Sequence, residues 1–118
     1  MILPWPPSAN RLWRSVNGRN IKSAVYRAWL TEAAYALRGH PAYLGPYTMT
    51  LTATRPDRRR RDLSNLLKAV EDSLQTAGII EDDSLAQSIL LQWSPAPPVP
   101  SGRLEVTITP AHEQRAAA

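Results

Sequence analysis

A single α+β domain is predicted by this 118-residue sequence, with element order β-α-β-α-β-β and two helices packed on a mixed sheet of about four strands. Three patterns carry that reading. Residues 47–55 (YTMTLTATR) and 103–109 (RLEVTIT) alternate apolar and polar side chains with the period of a half-buried strand. Residues 23–39 and 63–77 repeat their apolar positions every three or four residues, the period of a helix lying on a core. Helices and strands are interleaved and separated by short connectors, so they share one core. The length agrees with one domain, set at residues 1–110.

The elements follow in order. ILPW (2–5) reads as a short strand closed by Pro6 and Pro7. Residues 8–22 read as a polar, basic loop with turn signals at Asn17-Gly18 and Asn20. The first helix is capped by Ser23 and stopped by Gly39. Its apolar stripe is Val25, Trp29, Ala33 and Leu37, with Tyr26 and Leu30 alongside. After the turn-rich HPAYLGP (40–46), the strand 47–55 places Tyr47, Met49, Leu51 and Ala53 on one face and threonines mostly on the other. Beyond the basic stretch 56–61, the second helix turns Leu63, Leu66, Leu67, Val70, Leu74 and Ala77 inward and ends at Gly78. IIEDD (79–83) is a short loop, and SLAQSILLQW (84–93) a third strand whose tail is more apolar than strict alternation requires. SPAPPVPSG (94–102) is too short to link domains. Leu104, Val106 and Ile108 alternate in the last strand, and residues 111–118 are expected to fray.

Composition narrows the function classes. No apolar run approaches the ~20 residues of a membrane span. The N-terminus, MILPWPPSANR, lacks the layout of a signal peptide, and there is no cysteine for disulfides or thiolate metal sites. A cytoplasmic location without a membrane partner is expected. The net charge of +4 is unevenly spread. Residues 1–31 hold Arg11, Arg14, Arg19, Lys22 and Arg27 and no acid, while residues 55–61 hold five arginines against Asp57. Twelve of the fourteen basic residues are arginine, whose planar fork suits phosphate oxygens. A polyanion is the expected partner, and nucleic acid is the commonest one.

The arginine run leads into a candidate site. Asp62 follows Arg61 at the mouth of the second helix. Ser64 and Asn65 lie one turn before Lys68, and Asp72 one turn beyond it. Asp82 and Asp83 come from the loop just past the helix, where a fold-back would bring one toward Asp62. Two or three carboxylate oxygens around water suit Mg²⁺, which activates water and shields charge on a phosphodiester. Each residue also has a plainer role: Asp62 as a helix cap, Asp82-Asp83 as a solvated turn, Lys68 as a surface lysine paired with Asp72. Trp13, in the basic loop, is a candidate for base stacking. Trp29 belongs to the apolar stripe and Trp5, between prolines, also packs. His40 and His112 are isolated.

Taken together, LPWPPSANR (3–11), RPDRRRRDLSNLLKAVEDSL (55–74), AGIIEDDSLAQ (77–87) and GRLEVTIT (102–109) resemble the RusA family of Holliday junction resolvases. The resemblance runs from about residue 2 to 110. It implies a small homodimeric, Mg²⁺-dependent endonuclease of bacteria and their phages that cuts four-way DNA junctions by paired, symmetric nicks. Carried over position by position, it implies metal ligands at Asp62, Ser64 and Asp83, Asp82 as a helper, and Lys68 as a required lysine. Arg58, Arg59, Arg60 and Arg61 would hold phosphates, with Arg11, Arg14, Asn65 and Trp13 as further DNA contacts. Ser64 departs from the pattern, which has an aspartate there. A neutral hydroxyl is a weaker ligand for a hard cation and binds through water, so Mn²⁺ is the alternative ion. Asp72 is no direct substitute, since ten residues of helix from Asp62 span about 15 Å. A two-fold dimer would match the near two-fold symmetry of a junction. Two rival readings are a junction-binding protein without cleavage, through the loss at Ser64, and an RNA-binding module.

Overall fold

A computed structural model describes residues 1–111. Its main sheet has four strands in the order β1-β6-β4-β5, formed by Ile2–Leu3 (β1), Tyr47–Thr54 (β4), Ala86–Trp93 (β5) and Arg103–Pro110 (β6). β4 pairs antiparallel with β6 along its whole length and parallel with β5. Parallel neighbours need a crossover, which the second helix supplies. The sheet is therefore mixed, as expected.

Alternation is clearest in the two central strands. Tyr47, Met49, Leu51 and Ala53 are buried on β4 while Thr48, Thr50 and Thr52 are not. Leu104, Val106 and Ile108 do the same on β6. Helix α1, Ala24–Leu37, buries Tyr26, Trp29, Leu30, Ala33 and Leu37. Five of the six expected inward residues are therefore buried, and only Val25, 41% exposed, is not. Ser23 caps it by accepting the Tyr26 N–H at 3.0 Å, and Gly39 leaves it at φ +80°.

Four expectations are corrected. The segment 8–22 is not a loop: after a single 3₁₀ turn at Ala9–Arg11, Trp13–Val16 (β2) and Arg19–Lys22 (β3) form a separate antiparallel hairpin. Its turn is Asn17-Gly18, with φ of +51° and +74°, the left-handed pair a two-residue hairpin demands. Their apolar residues, Trp13, Val16 and Ile21, are divided between the two faces, so no apolar alternation announces the strands. The first strand is only Ile2–Leu3, because Pro4 removes the next backbone donor. The second helix opens as a 3₁₀ turn, Leu63–Leu66, and becomes α-helical (α2) over Leu67–Thr76. Its buried face is Leu66, Ala69, Val70, Ser73 and Leu74, with Leu63 and Leu67 partly covered and Ala77 exposed. The third expected strand starts at Ala86, because Asp83–Leu85 form another 3₁₀ turn.

At the C-terminal end, β6 continues through Pro110 and Ala111 is buried, its N–H bonded to the Pro46 carbonyl at 3.0 Å. The fraying expected of 111–118 therefore does not hold at Ala111, and for 112–118, His112 included, it lies outside the described residues. His40 is exposed. No helix among the described residues is long and apolar enough to cross a membrane.

Candidate active site

β4 hands the chain at Thr54 to the arginine-rich loop, which curls around its own acid. The Asp57 carboxylate accepts the Arg59 N–H at 3.0 Å and the Arg61 guanidinium at 2.9 and 3.4 Å. The Arg61 bond, followed by the Arg59 N–H, holds the Asp57 carboxyl below its ordinary range. Arg61 is therefore drawn inward, 29% exposed, with its guanidinium 5.7 Å from the centre of the Trp5 ring. Arg58, Arg59 and Arg60 face outward, and among the described residues Arg58 and Arg60 have no acidic partner. The repulsion is thus partly compensated inside the loop and partly left for an external anion.

Asp62 occupies the cap position of the turn 63–66, but only its carbonyl is used, accepting the Asn65 N–H at 3.2 Å. Its exposed carboxylate makes no cap bond and, among the described residues, no ion pair. It borders a cavity of about 390 Å³ lined by Trp5, Pro6-Pro7-Ser8-Ala9, Arg60, Arg61, Asn65 and Leu66. Trp5 itself is partly buried, as its packing role requires. Its ring stacks on Trp93 at 6.2 Å and 16°, and the Arg55 guanidinium covers Trp93 at 3.9 Å.

In the first turn of α2, Lys68 Nζ lies 3.0 Å from Asp72. Asp72, 16% exposed, also accepts the hydroxyl of fully buried Tyr26 from α1. The Lys68–Asp72 pair foreseen as a plain surface contact is thus anchored to the neighbouring helix. The Asp72 hydrogen bond raises the Lys68 pKa and keeps its ammonium charged.

Asp83 approaches α2 from the far side, its N–H donating to Gln75 Oε1 at 3.3 Å. Its charge reaches Lys68, Glu71 and Tyr47. Burial, then Asp83, push the Glu71 carboxyl above its ordinary value. Burial, then Glu71, Asp83 and Asp82, push Tyr47 up to about 12. Asp82 turns the other way and caps the turn 83–85, accepting the Ser84 N–H at 2.8 Å; that bond lowers its pKa. Among the described residues no three His, Asp or Glu side chains converge into a group that would hold a metal unaided.

The expected residues therefore fall into three places. Asp62, Asn65, Arg60 and Arg61 share the cavity; Lys68 and Asp83 share the α2 flank, with Ser64 exposed on the turn between the cavity and α2. Trp13 and Arg14 stand exposed on the β2–β3 hairpin, with Lys22 5.6 Å from the Trp13 ring, and Arg11 is exposed on the turn before it. Sequence reasoning missed Glu71, Tyr47, Tyr26 and the cavity role of Trp5. Only Glu71 carried a local signal, being three residues beyond Lys68 on the same helix.

The two buried tyrosines differ in a measurable way. Tyr26→Phe leaves Asp72 short of a charge-assisted bond and is expected to cost about 1.5–3 kcal/mol. Tyr47→Phe is expected to cost under ~1 kcal/mol, because the Tyr47 hydroxyl has no protein partner among the described residues. Both phenols are raised above their ordinary 10.0. Their contribution is complete below pH 10.0 and is lost as pH rises from there, through about 12 for Tyr47. Thermal melts from pH 8 to 12, approximately, should fall more steeply for wild type than for the double Phe variant.

The Endodeoxyribonuclease RusA family model matches residues 4–109. The crossover junction endodeoxyribonuclease rusA of Enterobacteria phage 82 is 42% identical over 112 residues, covering 92% of each chain. RusA of Escherichia coli (strain K12) is 41% identical and RusA of Shigella sonnei (strain Ss046) 40% identical, with the same 92% coverage of each chain. With a family match over nearly its whole length and relatives this similar, the chain belongs to the RusA endodeoxyribonuclease family.

Proposed function

We propose that this protein is a structure-selective endodeoxyribonuclease that resolves four-way DNA junctions, acting as a homodimer with Mg²⁺. The observation that carries the reading is the Asp62 carboxylate, free of cap bond and, among the described residues, of ion pair, at the end of an arginine loop that faces solvent. Curated relatives named as crossover junction endodeoxyribonucleases support the substrate.

The donor set suits a hard cation. Mg²⁺ is commonly held by one or two carboxylates, with water and substrate phosphate completing the shell. Asp62 would supply one carboxylate at the cavity, Asp83 on the α2 flank is the second that the family resemblance implies, and Ser64 is assigned a contact through water. Bound there, Mg²⁺ would supply an activated water and shield the charge developing on the scissile phosphate. The chain's own groups do the rest. Outward-facing Arg58, Arg59 and Arg60 bind flanking phosphates, and the exposed Trp13 and Arg14 of the hairpin extend that basic face. Lys68, held in place by Asp72, directs its ammonium at the developing charge. Two copies related by a two-fold axis would place two such sites on the near-symmetric junction, which paired nicks require.

A synthetic four-way junction incubated with and without Mg²⁺ tests the reading. Paired nicks at symmetric positions, stopped by chelator, are the expected result. Binding that ignores chelator, with no nick at any Mg²⁺ or Mn²⁺ concentration, would establish the non-catalytic alternative, for which Ser64 is the specific motive. Tighter binding of structured RNA than of junction DNA at matched salt would point to the RNA alternative. Ser64→Asp is expected to lower the Mg²⁺ concentration for half-maximal cleavage by roughly tenfold, through one added ligand charge.

A further inference from the structure

We propose that the cavity beside Asp62 receives one unstacked base of the DNA, next to the phosphate to be cut. The inference rests on the nuclease reading for its substrate and adds a subsite to it. Small-molecule pockets begin near ~300 Å³, so about 390 Å³ is room for one nucleoside.

The lining is divided by chemistry. One part is flat and apolar: the Trp5 ring with Pro6 and Pro7. Another is polar and uncharged: Ser8, whose hydroxyl makes no cap bond, and Asn65, whose amide has no protein partner among the described residues. These suit the edge of a base. Arg60 and Arg61 supply cations for the adjoining phosphate, and Asp62 marks the reacting end. A base still stacked in a duplex exposes only its edges, so an aromatic wall is useful only to a base that has left the stack.

The wall is rigid before any ligand arrives. Trp93 backs the Trp5 ring, and Arg55 in turn covers Trp93. Gly102 approaches so closely that a Cβ there would lie 2.6 Å from Trp5 Cε3. A wall locked from two sides loses little conformational freedom on binding, which favours occupancy. The arginine loop thereby gains a second role, because Arg61, tied to Asp57, packs over Trp5 and shapes the cavity.

The test uses four-way junctions carrying 2-aminopurine at successive positions around the exchange point, bound to wild-type protein in EDTA. Emission excited beyond the tryptophan band is expected to rise several-fold at one position in each of two symmetry-related strands. Trp5→Leu should abolish the rise and weaken binding about tenfold. Asn65→Ala, at an exposed position that folding tolerates, should reduce the rise and relax the base preference at the cut. Unchanged emission at every position in the wild-type complex overturns the proposal, as does a rise that both variants retain. The nuclease reading is judged separately by adding Mg²⁺ to the same complexes. A junction cut without any emission change removes the pocket alone, and a rise on a junction that is never cut removes the nuclease alone.

Discussion

Asp62→Asn should leave a four-way junction bound and uncut. The exchange keeps the size of the side chain and removes its charge. Asp62 makes no side-chain cap bond, so the fold loses nothing it uses, and stability should stay within ~0.5 kcal/mol of wild type. Cleavage in Mg²⁺ should fall at least ~100-fold, because a neutral amide is a poor partner for a hard cation. Junction affinity should be equal or slightly higher, since one negative charge leaves a surface that binds phosphate. Gel-shift in EDTA and single-turnover cleavage on the same junction separate the two effects. Full cleavage by this variant would sink the assignment of Asp62. A loss of binding equal to the loss of cleavage would make Asp62 a folding or docking residue instead.

Gly102→Ala should be the most damaging methyl group that can be added at a glycine of this chain. Two costs coincide there. The residue sits at φ +64°, where an L side chain costs roughly 1–2 kcal/mol. Its new Cβ would lie 2.6 Å from Trp5 Cε3, 3.1 Å from Trp5 Cδ2 and 3.2 Å from Pro56 Cβ. The indole is stacked on Trp93 and is not the far end of a flexible side chain, so overpacking adds about 1–3 kcal/mol. The total loss is expected at about 2–5 kcal/mol by urea denaturation. Gly18→Ala is the control. It has a similar φ of +74° but nothing within 4 Å, so only the backbone cost applies. Equal losses at the two sites would show that Trp5 is not held as described. The variant also moves the wall of the cavity beside Asp62, so cleavage should suffer beyond what stability explains.

The parts of the fold that were legible are those whose signal is local and apolar. The central strands β4 and β6 alternate cleanly because one face of the sheet meets the helices and the other meets solvent. Ser23 and Gly39 bracket α1 because capping chemistry acts within a few residues. The β2–β3 hairpin was missed for the converse reason. Its strands bury almost nothing, and its one clear signal, Asn17-Gly18, reads as a turn in a loop unless the flanking residues are paired. Val25 and Ala77 were assigned inward by spacing yet stand exposed, while Ala69 and Ser73, which the spacing left out, are buried, because packing partners set how each helix is turned.

The candidate site divides along the same line. The sequence by itself determined the chemistry on offer: arginines leading into Asp62, a lysine two turns on, an acidic pair past the helix, and a serine where the family pattern has a carboxylate. All of these lie within one contiguous third of the chain, so local order is enough to relate them. Only the tertiary structure decided which of them are occupied. Asp57 absorbs part of the arginine charge, Tyr26 reaches across 46 residues to hold Asp72, and Asp82 is spent on a cap while the charge of Asp83 reaches Lys68. The cavity beside Asp62 joins Trp5 to residues 60–66, and its wall is locked by Trp93 and Gly102. No local pattern encodes such contacts, because the groups that make them are brought together by burial of the common core rather than by spacing along the chain.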